Sequence, residues 1–206
     1  MFASTAVVAL LAASALANPL PRQTGAACAG LSSGSTDNPV YNFTLTALNT
    51  TLPNANTTGA PLVLGWGTAG SSPAASDWAI STFAAWGSNE WPYFVLDSGN
   101  LLPQPGSSEQ GLGAYDRSIE DGGEVGFIVT TASQGRQDPQ IYCAEAHDDQ
   151  VLLALNGDAG SFSICQAAIS WHLTPNNILV WKADANHSSV YDESTCYGVQ
   201  VLINQV

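Results

Sequence analysis

The chain has 206 residues, of which 45% are hydrophobic and only 10% are charged. Seventeen acidic residues against four basic ones give a net charge of −13, which would repel nucleic-acid phosphates and anionic membrane surfaces. The composition therefore argues against nucleic-acid binding. Solubility must depend mainly on Ser, Thr, Asn and Gln side chains and on attached sugar.

The N-terminus has the features of a secretion signal. An apolar run from Ala6 to Ala13 precedes Ala15-Leu16-Ala17, a small-x-small pattern that signal peptidase accepts. The run is shorter than the roughly 20 residues that cross a bilayer, so we expect no membrane insertion and an extracellular protein, secreted or held in a cell wall. The predicted segments are a signal peptide, a short propeptide or disordered segment, and a single β-rich domain, over residues 1–17, 18–27 and 28–206.

The hydrophobic pattern of the remaining chain mostly has a period of two. In the stretch VYNFTLTAL, Phe43, Leu45 and Ala47 fall on one face, whereas Asn42 and Thr44 fall on the other, as in a half-buried strand. Further strand candidates are rich in β-branched and aromatic residues and are bounded by turn residues. They are residues 61–66, 92–97, 124–131, 140–146, 151–155, 161–165, 177–183 and 197–203.

Turn and helix signals complete the predicted architecture. The Asn-Gly pair in NGDAGS predicts a hairpin between 151–155 and 161–165, and DSGN at 97–100 predicts another turn. Only 76–86 and 166–173 are candidate short helices. The predicted fold is all-β, a single β-sandwich or closed barrel braced by disulfides, with a β-trefoil as a further option.

Four cysteines remain after the predicted signal peptide, namely Cys28, Cys143, Cys165 and Cys196. An even number in a secreted chain predicts two disulfides, and their wide spacing does not fit a CxxC metal or redox motif. Three pairings are open, and cysteine spacing does not choose among them. We expect Cys165 to bond Cys196, leaving Cys28 with Cys143, because the strand ending at Cys165 and the strand starting after Cys196 can lie side by side.

Four N-x-S/T sequons predict N-glycosylation. Three of them crowd into the first segment after the predicted signal peptide, and the fourth lies near the C-terminus. An occupied sequon must face solvent. The predicted glycosylation sites are Asn42, Asn49, Asn56 and Asn186.

Acidic residues give a weak signal for a cation site. His147 stands in CAEAHDD with Glu145, Asp148 and Asp149, a cluster that could hold a divalent cation or an acid/base pair. The segment runs into a polar turn, which is more typical of a solvated strand end. Nine acidic residues lie between positions 109 and 149. Either a weak calcium-binding region or, in our preferred interpretation, a solvated acidic face would explain them.

No other residue pattern indicates catalysis. His172 adjoins Trp171, an environment typical of a packed histidine, and His187 is the middle residue of a sequon. The G-x-S-x-G motif of serine hydrolases is absent. We therefore predict no catalytic residue, no metal ligand and no cofactor.

Six tryptophans are the strongest candidates for binding, because aromatic faces stack on sugar rings without needing charge. Core packing is the commoner role of tryptophan in a small β-domain. Trp86 and Trp91, which flank Gly87-Ser88-Asn89, are the two predicted sugar contacts. The predicted partners are cell-wall polysaccharide or surface glycans.

Several stretches match one family in order along the chain. They include aromatic-x-Leu strands, a Phe-x-x-Cys strand, a Val-Trp strand and a cysteine before the last strand; the matching residues are Phe94, Leu96, Gly99, Leu101, Phe162, Cys165, Val180, Trp181 and Cys196. The chain resembles the secreted fungal cell-wall proteins of the phialide-protein (PhiA) type. Their Tyr- and Met-rich central segment has no counterpart here, since Met1 is the only methionine.

This resemblance implies a non-enzymatic, extracellular or wall-associated glycoprotein of a filamentous fungus, and it transfers no catalytic residue. A carbohydrate-binding, lectin-like module is the alternative hypothesis. A secreted hydrolase is a third.

Overall fold

The computed structural model describes residues 25–71, 75–131, 138–169 and 175–206. The predicted signal peptide, residues 1–17, lies outside these ranges, as do Trp171 and His172.

The described chain is almost entirely β-structure, which confirms the all-β prediction. Twelve strands form one sheet, and every pairing is antiparallel. The strands are β1 Phe43–Asn49, β2 Ala60–Ser71, β3 Ala75–Thr82, β4 Tyr93–Asp97, β5 Asn100–Gln104, β6 Gly113–Asp116, β7 Gly126–Thr130, β8 Tyr142–His147, β9 Gln150–Leu155, β10 Phe162–Ala167, β11 Asn177–Trp181 and β12 Tyr191–Gln205. Among the described residues the one α-helix is α1 Phe83–Trp86, and 3-10 turns span Ala26–Cys28, Ser107–Glu109 and Ala185–His187.

Six strands close a ring in the order β1, β2, β3, β11, β10, β12 and back to β1. The closing pair is extensive, with β1 and β12 in register from Phe43 opposite Gln205 to Asn49 opposite Val199. This arrangement corresponds to the closed-barrel alternative. A β-trefoil repeats one unit three times, whereas this ring combines three early strands with three late ones, and β4 to β9 lie between them in the chain. The pairing therefore does not follow a trefoil.

The main core lies inside the ring because each ring strand turns alternate residues toward it. In β1, Phe43, Leu45 and Ala47 are buried, while Thr44 and Thr46 are partly exposed, as the sequence pattern predicts. The other ring strands contribute Leu62, Leu64, Trp78, Ile80, Phe162, Ile164, Leu179, Trp181, Val199, Val201 and Ile203 to the same cluster.

Both disulfides lie in smaller apolar clusters, outside that main core. Cys28 bonds Cys143, which fixes the segment before β1 to β8 in a cluster with Leu152 and Leu202. The second bond joins Cys165 to Cys196 beside Ile178 and Val180. Cys165 lies on β10 where the pairing with β12 shifts register, so this bond holds the irregular part of β12 against β10. The predicted pairing is confirmed.

The predicted helix at 76–86 is wrong for most of its length. Residues up to Thr82 form β3, and only Phe83–Trp86 is helical. Trp78 and Ile80 face the main core, while Ala79 between them packs into the cluster around the second disulfide. A strand covered on both faces shows no polar alternation, so its hydrophobic pattern does not distinguish it from a buried helix.

The Asn-Gly turn forms as predicted, but it does not pair the strands on either side. Asn156 and Gly157 have φ values of 50° and 77°, as the two central residues of a tight hairpin turn require. Strand β9 nevertheless pairs with β8 and β12, and β10 pairs with β11 and β12. The two strands follow one another along the same edge of β12, so the predicted β9–β10 hairpin is wrong.

Two predicted segments extend beyond the described residues. In the second predicted helix, 166–173, Gln166 and Ala167 end strand β10, and residues 170–173 lie outside the described part. Most of the predicted propeptide or disordered segment, 18–27, lies outside it as well. Its last residues form the turn Ala26–Cys28, so they belong to the folded domain.

Tyr142 on β8 is a buried side chain whose hydroxyl has no hydrogen-bond partner among the described residues. Burial, and next the negative charge of Asp116, raise its pKa well above the usual 10.0. Because a buried hydroxyl without a partner carries a desolvation cost, we expect Tyr142→Phe to leave the free energy of unfolding unchanged or to raise it by up to about 1 kcal/mol at pH 7. Urea denaturation would measure the difference.

The same substitution should alter the alkaline pH dependence. Below about pH 10 the tyrosine is protonated in both states; above it the unfolded chain loses the proton, while folded Tyr142 keeps it. The free energy of unfolding therefore falls as pH rises, by up to about 1.4 kcal/mol per pH unit from this residue. Tyr142→Phe should reduce that slope between pH 10 and 11. An equal slope in both proteins would contradict the assignment.

Candidate functional site: an aromatic cluster with one exposed tryptophan

Four of the six tryptophans contact one another. Trp66 and Trp78 face each other across β2 and β3, with ring centroids 6.4 Å apart and an interplanar angle of 74°. Trp86 lies 5.9 Å from Trp66 and 6.1 Å from Trp78, and Trp91 lies 6.3 Å from Trp78. Aromatic pairs at such separations contribute about 0.5–1.5 kcal/mol each beyond their burial. These four residues, called here the tryptophan cluster, hold one another in place.

Two glycines allow the backbone to bring Trp86 into the cluster. A Cβ on Gly65 would lie 2.9 Å from the Trp86 ring, so a side chain there would displace the indole. Gly87 ends helix α1 in the left-handed conformation, with φ 85°, which glycine adopts without steric cost. The single helical turn therefore ends directly after Trp86.

Exposure within the tryptophan cluster differs from the prediction. Trp86 and Trp91 are only 9% and 0% exposed, so neither presents a face to a sugar ring. The structure contradicts the predicted sugar contacts at these two positions, because both indoles fill the core instead. Trp66 is the exposed member, at 48%, and Phe83, at the start of α1, is 42% exposed.

Hydrogen bonds fix the backbone around the exposed indole. Asn176, which is buried, donates from Nδ2 to Ser81 Oγ at 3.0 Å and to the Trp66 carbonyl oxygen at 3.5 Å. The indole N–H of Trp78 donates to Ser76 Oγ at 2.8 Å. The exposed indole is therefore attached to a braced sheet and backed by other rings, so a ligand would meet it with little loss of side-chain freedom.

Charged side chains near the cluster are paired with one another, with one guanidinium between two carboxylates. Asp77, beside Trp78 in β3, forms an ion pair with Arg117 at 2.7 Å, and the same guanidinium lies 3.5 Å from Glu124. A surface of aromatic rings with paired charges suits a neutral, hydroxyl-rich ligand better than an ionic one.

The predicted cation cluster around His147 lies at an exposed hairpin. β8 ends at His147, and Asp148 and Asp149 form the turn to β9, all of them exposed. This confirms the interpretation as a solvated strand end. No group of three or more His, Cys, Asp or Glu side chains is placed to hold a metal ion in the part of the chain that the structure describes.

His187 contributes to a local turn in the segment before β12. Its Nδ1 is 2.9 Å from Asp184 Oδ1, and its ring stacks on Tyr191 with an interplanar angle of 7°. The hydrogen bond with His187, followed by one from the Asn186 N–H, lowers the pKa of the Asp184 carboxyl below its usual 3.8. Asp184 thus caps the 3-10 turn, which accounts for this pair without a catalytic role.

The four sequon asparagines all reach solvent. Asn42, Asn56 and Asn186 are exposed, and Asn49 is partly exposed at the end of β1. Asn42 also lies next to buried Phe43, in agreement with the strand pattern. The positions are compatible with glycosylation, which stays a prediction.

Comparison of the chain with models of protein families, with curated proteins and with solved structures finds no match. Among the described residues, no helix is long and apolar enough to cross a membrane.

The exposed residue Trp66 could not be selected from sequence, because it continues the buried face of Leu62 and Leu64 and differs from them only in its position along the strand.

Proposed function

We propose that this protein is a secreted, non-enzymatic glycoprotein of the fungal wall or cell surface that binds polysaccharide through Trp66. The proposal rests on one observation, the exposure of a tryptophan whose ring contacts two other tryptophans, Trp78 and Trp86. Phe83 supplies a second exposed ring in the residues that precede Trp86. The two disulfides, the exposed sequons and the resemblance to phialide-type wall proteins support an extracellular setting.

An uncharged, insoluble polysaccharide is the ligand class that fits best. The chain carries a net charge of −13, so an anionic ligand would be repelled. A sugar ring offers an apolar C–H face to an indole and hydroxyl groups to the polar residues around it. Chitin and β-glucan are wall polymers of this kind, and each repeats the same face along its length.

Retention on insoluble chitin and β-glucan tests the proposal. The wild-type protein should be retained on at least one polymer, and Trp66→Ala should weaken retention by about tenfold or more, as truncating a central aromatic contact usually does. Trp66→Phe should keep part of the affinity, because it keeps an aromatic face. Val40→Ala is the control, since Val40 is a fully exposed apolar residue outside the tryptophan cluster.

Two results would refute the proposal. The first is equal retention of the wild type and Trp66→Ala, which would place binding elsewhere. The second is no retention on any polymer together with turnover of a glycan or peptide substrate, which would favour a hydrolase. Binding of soluble glycans alone would favour the lectin-like alternative.

A further inference from the structure

A small cavity opens where β1 ends and the following loop begins. Its volume is about 270 Å³, and it is lined by Asn49, Pro53, Asn54, Asn56 and Tyr197 among others. This volume lies just below the roughly 300–1,000 Å³ of sites that enclose a whole small molecule. The cavity is therefore suited to a single ring that remains attached to something outside.

Strand register places the sequon residue Asn49 and the ring of Tyr197 on one face. Asn49 is paired with Val199 across β1 and β12, and Tyr197 precedes Val199 by two residues. Diagonal neighbours of this kind have Cα atoms about 7–8 Å apart, within reach of an aromatic side chain. Tyr197 is 36% exposed, so part of its ring is open toward this cavity.

The loop that covers the cavity is tied to Asn49 itself. The Asn49 N–H donates to Asn54 Oδ1 at 2.7 Å, and Asn54 Nδ2 donates back to the Asn49 carbonyl oxygen at 2.9 Å. Asn49 Oδ1 accepts from the N–H of Thr51 and of Leu52, both at 2.8 Å. The oxygen of the side chain is thus engaged, while no described residue accepts a hydrogen bond from Nδ2, the atom to which an N-glycan is attached.

We propose that the first sugar of a glycan on Asn49 occupies this cavity and packs its C–H face on the ring of Tyr197. The inference rests on the glycosylation proposed above. Pro53 and Tyr197 supply apolar surface, and the amides of Asn54 and Asn56 supply donors and acceptors for the hydroxyl and acetamido groups of the sugar. The glycan then acts as an additional core element that covers this end of the ring.

A comparison of sequon variants tests the inference. The full chain is produced in a host that attaches N-glycans and is trimmed enzymatically to one N-acetylglucosamine per site, with occupancy measured by mass spectrometry. Asn49→Gln should lower the melting temperature by about 2–4 °C, and Asn186→Gln, the control at an exposed sequon that does not line this cavity, by less than 1 °C. The same proteins from a host without N-glycosylation measure the loss that comes from the asparagine's own hydrogen bonds with Thr51 and Leu52, and any further loss in the glycosylated proteins comes from the sugar.

Tyr197→Ala and a direct contact measurement complete the test. In the Tyr197→Ala background, Asn49→Gln should lower the melting temperature of the glycosylated protein no more than that of the unglycosylated one. Nuclear Overhauser contacts should join the first sugar on Asn49 to the Tyr197 ring. An occupied Asn49 with neither a contact nor a shift would overturn the inference and leave the glycoprotein proposal intact. An unmodified Asn49 would overturn it too, and only the absence of sugar at all four sequons would also refute the glycoprotein proposal.

Discussion

Replacing both Cys28 and Cys143 by alanine should lower the free energy of unfolding by about 4–5 kcal/mol, because this bond closes the longer of the two covalent loops. The two residues are 115 positions apart, and both are completely buried. The bond restricts the unfolded chain and also fixes the segment before β1 to β8. Denaturant unfolding of the oxidised variant and the wild type would measure the effect, with alanine chosen so that no hydroxyl is buried.

The second disulfide provides the matched control. Cys165 and Cys196 are 31 residues apart, for which the loop-closure model gives about 3–4 kcal/mol. Replacing this pair by alanine should therefore cost roughly 1 kcal/mol less than replacing the first pair. The opposite order would contradict loop closure as the main origin of the difference. Peptide mapping without reduction would confirm that the remaining bond keeps its native partners.

Trp91→Ala should be among the most destabilising single substitutions, with a loss of about 3–5 kcal/mol. Trp91 is completely buried and packs against Trp78, so truncation removes its apolar area from the core and leaves a cavity. Thermal or denaturant unfolding would measure this loss.

Trp66→Ala is the control for that measurement, because it truncates the exposed end of the same cluster. Trp66 is 48% exposed but makes two of the ring contacts, so we expect a smaller loss of about 1–2 kcal/mol. If Trp66→Ala and Trp91→Ala proved equally destabilising, Trp66 would be a core residue and the proposed binding surface would lose its basis. A small loss at Trp66 together with weaker retention on polysaccharide would support it.

The strands that sequence could predict are those with one face turned to solvent. β1 alternates buried and partly exposed residues, and its period identifies both the strand and its inner face. The segment of Trp78 to Ser81 is buried on both sides, so the alternation that reveals a strand is missing there. The Asn156-Gly157 turn shows a related limit. The two turn residues predict the turn itself, but β9 and β10 on either side of it each pair with β12 and not with one another.

The candidate site was predictable in kind but not in position. Composition indicated tryptophans as candidate binding residues. Trp86 and Trp91 stand beside polar and glycine residues, which suggested exposure, yet both point into the core. Trp66 continues an apolar alternation that suggested burial. Exposure of an aromatic residue at the end of a strand depends on which elements cover that end, and this is a tertiary property.

Ring closure between β1 and β12 also sets the order in which the chain can fold. Thr46 and Asn204, 158 residues apart in sequence, are joined by a 3.1 Å hydrogen bond across this seam. Contacts at such separation are slow to form, since loop-closure entropy opposes them until the intervening strands are in place. During synthesis, the edge of β1 that pairs with β12 stays open until β12 has emerged. The sequons at Asn42, Asn49 and Asn56 are accessible throughout that interval, so sugar added there would shield exposed strand edges from other chains before the barrel closes.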